Sequence, residues 1–231
     1  MLDEIKERVL KANLRLKKEK LVVLTWGNVS EIDRNSGLVV IKPSGISYDL
    51  MKAEDMVVCD LEGNVVEGNL RPSVDLITHI ELYKKFPKIM SVVHDHSTYA
   101  TSFAQAKREI IPLGTTHADT FRSAIPCTEA LSRKQIEGDY VKETAYAIIE
   151  RFNSLDYLAD PGVLVAEHGV FTWGTGPDEA VDNAVVVEEV AKMAYLTLAL
   201  KPDSRPIEDY LLEKHYQRKH GKNHSYGQEK K

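Results

Sequence analysis

The chain has 231 residues with 30 Lys plus Arg against 35 Asp plus Glu, a formal net charge of −5, so it has no general positive field for nucleic acid. Its 43% hydrophobic and 28% charged residues exclude a disordered chain, and its length suits one core burying roughly 70% of the extended-chain surface. Cys59 and Cys127 are too few for a disulfide framework, MLDEIKERVL lacks the unbroken apolar stretch of a signal peptide, and runs such as Ala184 to Val187 are too short for a bilayer. These features predict a cytoplasmic protein of one domain, 1–231, with no membrane or nucleic-acid partner.

Residues 2 to 18 place Leu2, Ile5, Val9, Leu10 and Leu14 at helical spacing, which predicts an amphipathic opening helix. LVVLTW and LVVIKP are β-branched runs, and Asn35, Ser36 and Gly37 between them supply turn chemistry for an antiparallel pair. MVVCDLEGNVVEG repeats the pattern around Glu62, Gly63 and Asn64. A helix is expected over 74 to 86, a short buried strand over SVVHDH, and one or two strands, interrupted near Gly169, over VLVAEHGVFTW. A long helix should run from a capping Asp178 to about Leu200, where Lys201-Pro202 stops it, and another should cover about Ile207 to Arg218. The tail from Lys219 reads by composition as frayed. Strands and helices interleave throughout, which points to one α/β or α+β domain.

His94 and His96 are two apart on a predicted strand, so their side chains leave the same face and can converge on one ion, with Asp95 pointing the other way. The same pair also fits two strand-end histidines bonded to carbonyls. His168 sits in a second strand pattern beside Gly169, and Asp75 and His79 fall four apart on one helix. Three imidazoles and a carboxylate suit Zn²⁺ or a neighbouring first-row divalent ion. Asp75 equally suits a helix first turn, and His79 is better read as a residue behind the site or on the surface. His117 reads as a loop-orienting residue and Cys59 as small apolar filling.

An acidic protein that binds an anion must concentrate donors locally. GNVS, KPSG and RPS do this at three turns: Gly27 and Gly45 allow close backbone approach, Asn28, Ser44 and Ser73 supply hydrogen bonds, and Lys42 supplies charge. Helix starts after Ser44 and Ser73 would add free amides. Each motif alone also fits a turn or a cap, and none is a nucleotide fingerprint.

Taken together, TWGNVS, IKPSG, RPSVD, VHDHSTYAT, GTTHAD, IPCT, EHGVFTWG and KHYQRKHG with SYGQ closely resemble the L-ribulose-5-phosphate 4-epimerases of the metal-dependent class II aldolase and epimerase superfamily. The resemblance spans nearly the whole chain. It implies an α/β domain with a central, mostly antiparallel sheet flanked by helices, assembled as a C4 homotetramer with active sites at subunit boundaries. It implies one divalent ion per subunit, Zn²⁺ first and Mn²⁺ or Co²⁺ as alternatives, held by Asp75, His94, His96 and His168. Gly27, Asn28, Lys42, Ser44, Gly45, Ser73 and the backbone of Val74 would hold a sugar phosphate. Asp119 and Tyr226, from different subunits, would be the paired acid/base residues, with His215 and Arg218 in support, so that Tyr226 should be ordered in spite of the composition of the tail.

Three positions depart from the family pattern: Val74 stands where a second serine is usual, Thr120 where an aromatic residue commonly follows the acid, and Asp95 where a neutral residue is expected. The implied reaction inverts C4 of L-ribulose 5-phosphate, giving D-xylulose 5-phosphate by cleaving and remaking the C3–C4 bond. The alternative within the superfamily is an aldolase of the L-fuculose-phosphate type. Those enzymes usually carry a glutamate where Asp75 stands, so the shorter side chain favours the epimerase.

Overall fold

The computed structural model describes residues 2–221. Helix α1, Asp3–Lys18, is the amphipathic opening helix, with acids in its first turn and bases in its last. The following LVVLTW is not a strand. Lys20 and Leu24 both have left-handed φ values, near +60°, and the segment runs as loop to the strand β1, Asn28–Asp33. Its polar sequence NVSEID hides a buried strand: Asn13 of α1 brackets the Val29 peptide, accepting from its N–H and donating to its carbonyl, and Ser30 bonds inward to two side chains. The turn to β2, Leu38–Ile41, is where the sequence places it, tightened by Asp33 accepting from Asn35 and Ser36.

Strands β3, Val57–Cys59, and β4, Val65–Glu67, follow with a turn organised by Asp60. Helix α2, Leu76–Lys85, precedes β5, Ser91–Asp95. Then come α3 (Thr98–Gln105), α4 (Thr115–Ala118), α5 (Arg133–Glu137) and α6 (Tyr140–Arg151). VLVAEHGVFTW forms two strands, β6 (Gly162–Val165) and β7 (Gly169–Gly174). The break covers 166–168, so His168 stands in a turn and not in a strand. Helix α7, Pro177–Leu200, starts one residue before Asp178: Gly176 holds the cap position, Pro177 opens the first turn, and Asp178 lies near Arg15. Helix α8 spans Asp209–His220.

The strands form one sheet in the order β4-β3-β2-β1-β5-β7-β6, every neighbouring pair antiparallel. Alternation along β5 sorts its side chains. Val92 joins the aliphatic and aromatic layer beneath α2 and α6, with Ile80, Phe171 and Trp173, whereas Val93 joins the layer of α1 and α7, with Leu16, Val29 and Ala184. His94 therefore faces the α2 side, and Asp95 faces the other. Among the described residues no helix is long and apolar enough to cross a membrane.

Candidate active site

Two pairings bring the candidate residues together. In the sheet, Asn28 is directly opposite His94, which is opposite Phe171 on its other side. Beyond the sheet, Pro43 pairs with Pro72 and the Ser73 N–H donates to the Lys42 carbonyl, so the 42–45 and 71–73 turns form one rim. The result is a cavity of about 500 Å³ lined by Gly27, Asn28, Lys42, Ser44, Gly45, Ser73, Val74, Asp75 and the three histidines His94, His96 and His168, with Thr25 and Trp26 at its edge. A larger depression beside α1 gathers Lys6, Glu7, Glu54 and Glu67 and contains none of these groups.

Gly27 is required twice over. Its φ is +74°, and a Cβ there would lie 2.6 Å from Val22 Cγ1 and 2.9 Å from the His94 carbonyl oxygen. Gly45 has open space beside it, and its φ of +72° alone accounts for glycine. Ser44 opens turns, and α2 begins only at Leu76 after Asp75 in the cap position. The expected helix amides directly after Ser44 and Ser73 are thus absent, and the rim offers side chains and turn backbone as its donors instead.

His94, His96 and His168 each offer a nitrogen such that all three lie within 4.8 Å of one another. His94 stacks on Phe171, and its Nδ1 donates to the Val170 carbonyl at 2.8 Å, which leaves the Nε2 lone pair free. That Nε2 is 3.0 Å from His96 Nε2. Burial, reinforced by the neighbouring imidazoles, pushes His96 down to about 4 and His168 down to about 3, so both are neutral near pH 7. Three converging imidazoles fit a first-row divalent ion. Asp75 lines the same cavity without belonging to that close set; its Oδ2 accepts from Asn28 Nδ2 at 2.7 Å and from Ser73 Oγ at 3.3 Å. Burial works upward on Asp75, but His94, His79 and Asn28 outweigh it and hold the carboxyl below its usual range.

Lys42 is 2% exposed. Its Nζ donates to the carbonyls of Thr25 and Pro43 and lies 5.0 Å from the Tyr48 ring centre. Burial lowers its affinity for a proton, and Asp75 partly restores it. Val74, in place of a serine, is exposed at the rim. Asp95 stays away from the cavity, fully buried, with Oδ1 accepting from the Ser97 N–H at 2.8 Å.

Asp119 does not line the cavity. It ends α4 and is gripped by α8: His215 Nδ1 is 3.1 Å from Oδ1, and the Arg218 guanidinium donates to both oxygens. Burial tends to raise its pKa, but His215, Lys219 and Arg218 outweigh this and keep it below the ordinary carboxylate value. Tyr226 lies outside the described residues. His79 is fully buried behind Asp75, with Nδ1 2.7 Å from Ser30 Oγ, and His117 holds the Ser123 carbonyl in its loop. The site has one neighbour the motifs did not point to. Tyr140 OH lies 3.3 Å from His168 Nδ1, in a charged stretch, GDYVKET, with no ligand-like spacing.

The model of the class II aldolase and adducin N-terminal domain matches residues 7–195. The chain is 52% identical over 227 residues to L-ribulose-5-phosphate 4-epimerase UlaF of Salmonella paratyphi C (strain RKS4594), covering 98% of this chain and 100% of that protein; the UlaF protein of Salmonella typhi matches at the same identity and coverage. Among solved structures, an L-fuculose 1-phosphate aldolase superposes with a TM-score of 0.79 at 27% identity, covering 93% of this chain and 95% of its own. The L-fuculose-1-phosphate aldolase from Thermus thermophilus shares the fold with a TM-score of 0.70 at 21% identity, over 88% and 100% of the two chains.

Proposed function

The chain belongs to the class II aldolase and adducin N-terminal domain family, and we propose that it is an isomerase that converts L-ribulose 5-phosphate to D-xylulose 5-phosphate. The observation that carries this reading is the convergence of three histidines beside a donor-rich rim, in a chain 52% identical over essentially its full length to L-ribulose-5-phosphate 4-epimerases.

In this proposal His94, His96, His168 and Asp75 hold one divalent ion, Zn²⁺ in preference to Mn²⁺ or Co²⁺ because three imidazoles and a carboxylate are a nitrogen-rich donor set. When bound, that ion supplies Lewis-acid polarisation of the substrate carbonyl. Asn28, Lys42, Ser44, Gly45, Ser73 and the Val74 backbone hold the phosphate. Lys42 gives the charge, and the turn backbone gives the fit. An anchored phosphate keeps the two-carbon aldehyde fragment in place after C3–C4 cleavage, so its carbonyl face can turn before the bond re-forms.

The C4 hydroxyl proton must leave from one face and return on the other, which calls for two groups on opposite sides. Asp119, held as an anion by His215 and Arg218, is the proposed base on one side, and Tyr226 the proposed acid on the other. Because Asp119 stands outside the lining of its own chain's cavity, the proposal places each site between neighbouring copies in a C4 tetramer.

The test is incubation of the purified protein with L-ribulose 5-phosphate, with separate assays for D-xylulose 5-phosphate and for glycolaldehyde phosphate. D-Xylulose 5-phosphate as the main product supports the epimerase. Free glycolaldehyde phosphate with dihydroxyacetone as main products would replace it with an aldolase.

A further inference from the structure

The three histidines are not equally constrained. His94 is inside a central strand, with neighbours on both sides, and its ring is fixed by the Val170 carbonyl. His168 occupies a turn whose preceding residue, Glu167, has φ +63°, a left-handed conformation costing roughly 1 kcal/mol or more for a residue with a Cβ. The turn's backbone is pinned: the Glu167 N–H donates to the Ala104 carbonyl at 2.9 Å, Glu167 pairs with Lys107, and the Ala166 N–H donates to Thr128 Oγ1. None of those bonds reaches the imidazole. The ring's Nδ1 partner is Tyr140 OH at 3.3 Å, with the two rings 5.9 Å apart.

Tyr140 is itself well anchored. It is the first residue of α6, its carbonyl accepts from Thr144 Oγ1 at 2.9 Å, and the adjacent Val141 carbonyl accepts from Thr78 Oγ1 of α2 at 2.7 Å. That last bond ties the start of α6 to the helix that opens at Asp75. The backbone that carries the Tyr140 ring is thus held against the helix that follows Asp75, and the ring reaches His168 from there.

We infer that Tyr140 is a positioning residue for the metal site: its hydroxyl oxygen accepts the Nδ1–H of His168, fixing the tautomer and ring angle that turn Nε2 toward the ion. This rests on the metal-site reading above. It assigns Tyr140 the part that the Val170 carbonyl plays for His94, a partner on the far nitrogen that orients the ligand and raises its basicity. Tyr140 is 40% exposed, so its hydroxyl can be removed without opening a core cavity.

The experiment measures Co²⁺ and Zn²⁺ affinity by chelator competition, together with the visible spectrum of the Co²⁺ protein, for wild type, Tyr140→Phe, His168→Ala and the double variant. Tyr140→Phe is expected to weaken metal binding by about 10- to 100-fold, the usual consequence of losing a partner behind a ligand, and to shift the Co²⁺ bands with the melting temperature unchanged. In the His168→Ala background the same substitution is expected to change nothing, because the effect passes through that ring. Equal affinity and spectrum in wild type and Tyr140→Phe would overturn the inference, as would the same loss in both backgrounds. Wild type that binds neither ion would instead remove the metal site, and this inference with it.

Discussion

Asn28 and His94 face each other across β1 and β5, so one backbone pairing sets the distance between the donor-rich rim of the cavity and its histidine end. Asn28 also donates to Asp75 and Ser73, which couples the rim to the carboxylate. The rim and the metal-facing end of the cavity proposed above are therefore joined through one side chain.

Replacing His96 by Asn removes one of the converging nitrogens and keeps a polar side chain at the strand end. Metal content after dialysis and turnover should fall together, turnover by at least about 100-fold. Elemental analysis alongside the product assay checks this, and full occupancy with retained activity would take His96 out of the site.

Lys42→Met separates binding from folding. Loss of one charge-assisted bond to the phosphate should raise KM about 10- to 100-fold, and kcat should fall where remote binding energy orients the substrate. Stability should hold or increase, because a buried ammonium whose hydrogen-bond acceptors are two backbone carbonyls is exchanged for an apolar side chain of similar length that can still pack on Tyr48. Steady-state kinetics and thermal melts on the same preparations decide it; unchanged KM would remove Lys42 from phosphate binding.

If Asp119 and Tyr226 serve one site from two chains, inactive Asp119→Asn and Tyr226→Phe proteins should recover part of the activity when unfolded, mixed and reassembled. Hybrids verified by native mass spectrometry that stay inactive would assign both groups to one chain.

Acid should weaken the metal-free protein well above the ordinary carboxylate range. His79, His96 and His168 have folded values of about 3, 4 and 3, lowered chiefly by burial from an ordinary 6.5. As pH falls the unfolded chain takes protons first, so stability is complete above about 6.5 and declines below it. Asp95, pushed up to about 6 by burial, acts in the opposite sense and mainly below that pH. Between pH 7 and 6 the net loss should be on the order of 1 to 2 kcal/mol, with His96 discounted because it is partly open to solvent. Urea midpoints at the two pH values measure it, and bound metal should leave the drop in place, because it keeps His96 and His168 unprotonated in the folded chain without stopping the unfolded chain from taking protons. Equal midpoints in the metal-free protein would contradict the burial argument.

Much of this fold is written in period and punctuation: α1, the β2 to β4 run, α2, β5 and α7 follow their apolar spacing and their turns. LVVLTW misleads because β-branched composition does not decide pairing: only Leu21 and Val22 are buried, and Val23, Leu24 and Trp26 are exposed in the loop. The strand that pairs is the polar NVSEID, stabilised by Asn13, His79 and Tyr83, partners remote in sequence. The helix α6 buries only Thr144, Ala145 and Ile148, too narrow a stripe to stand out. The histidine triad is legible because two of its members stand two apart at the end of a strand, His94 inside β5 and His96 just beyond it, whereas Tyr140 acquires its place only through the packing of α6 on α2.

The alternation of β5 leaves this strand no near miss. A slip of one residue would deliver the Asp95 carboxylate to the cavity and press two imidazoles into the aliphatic layer of Val29 and Val93. Misregistered chains would lose core and chemistry in the same event, so the protein has no stable, inactive look-alike: proofreading of the strand and assembly of the catalyst are one step.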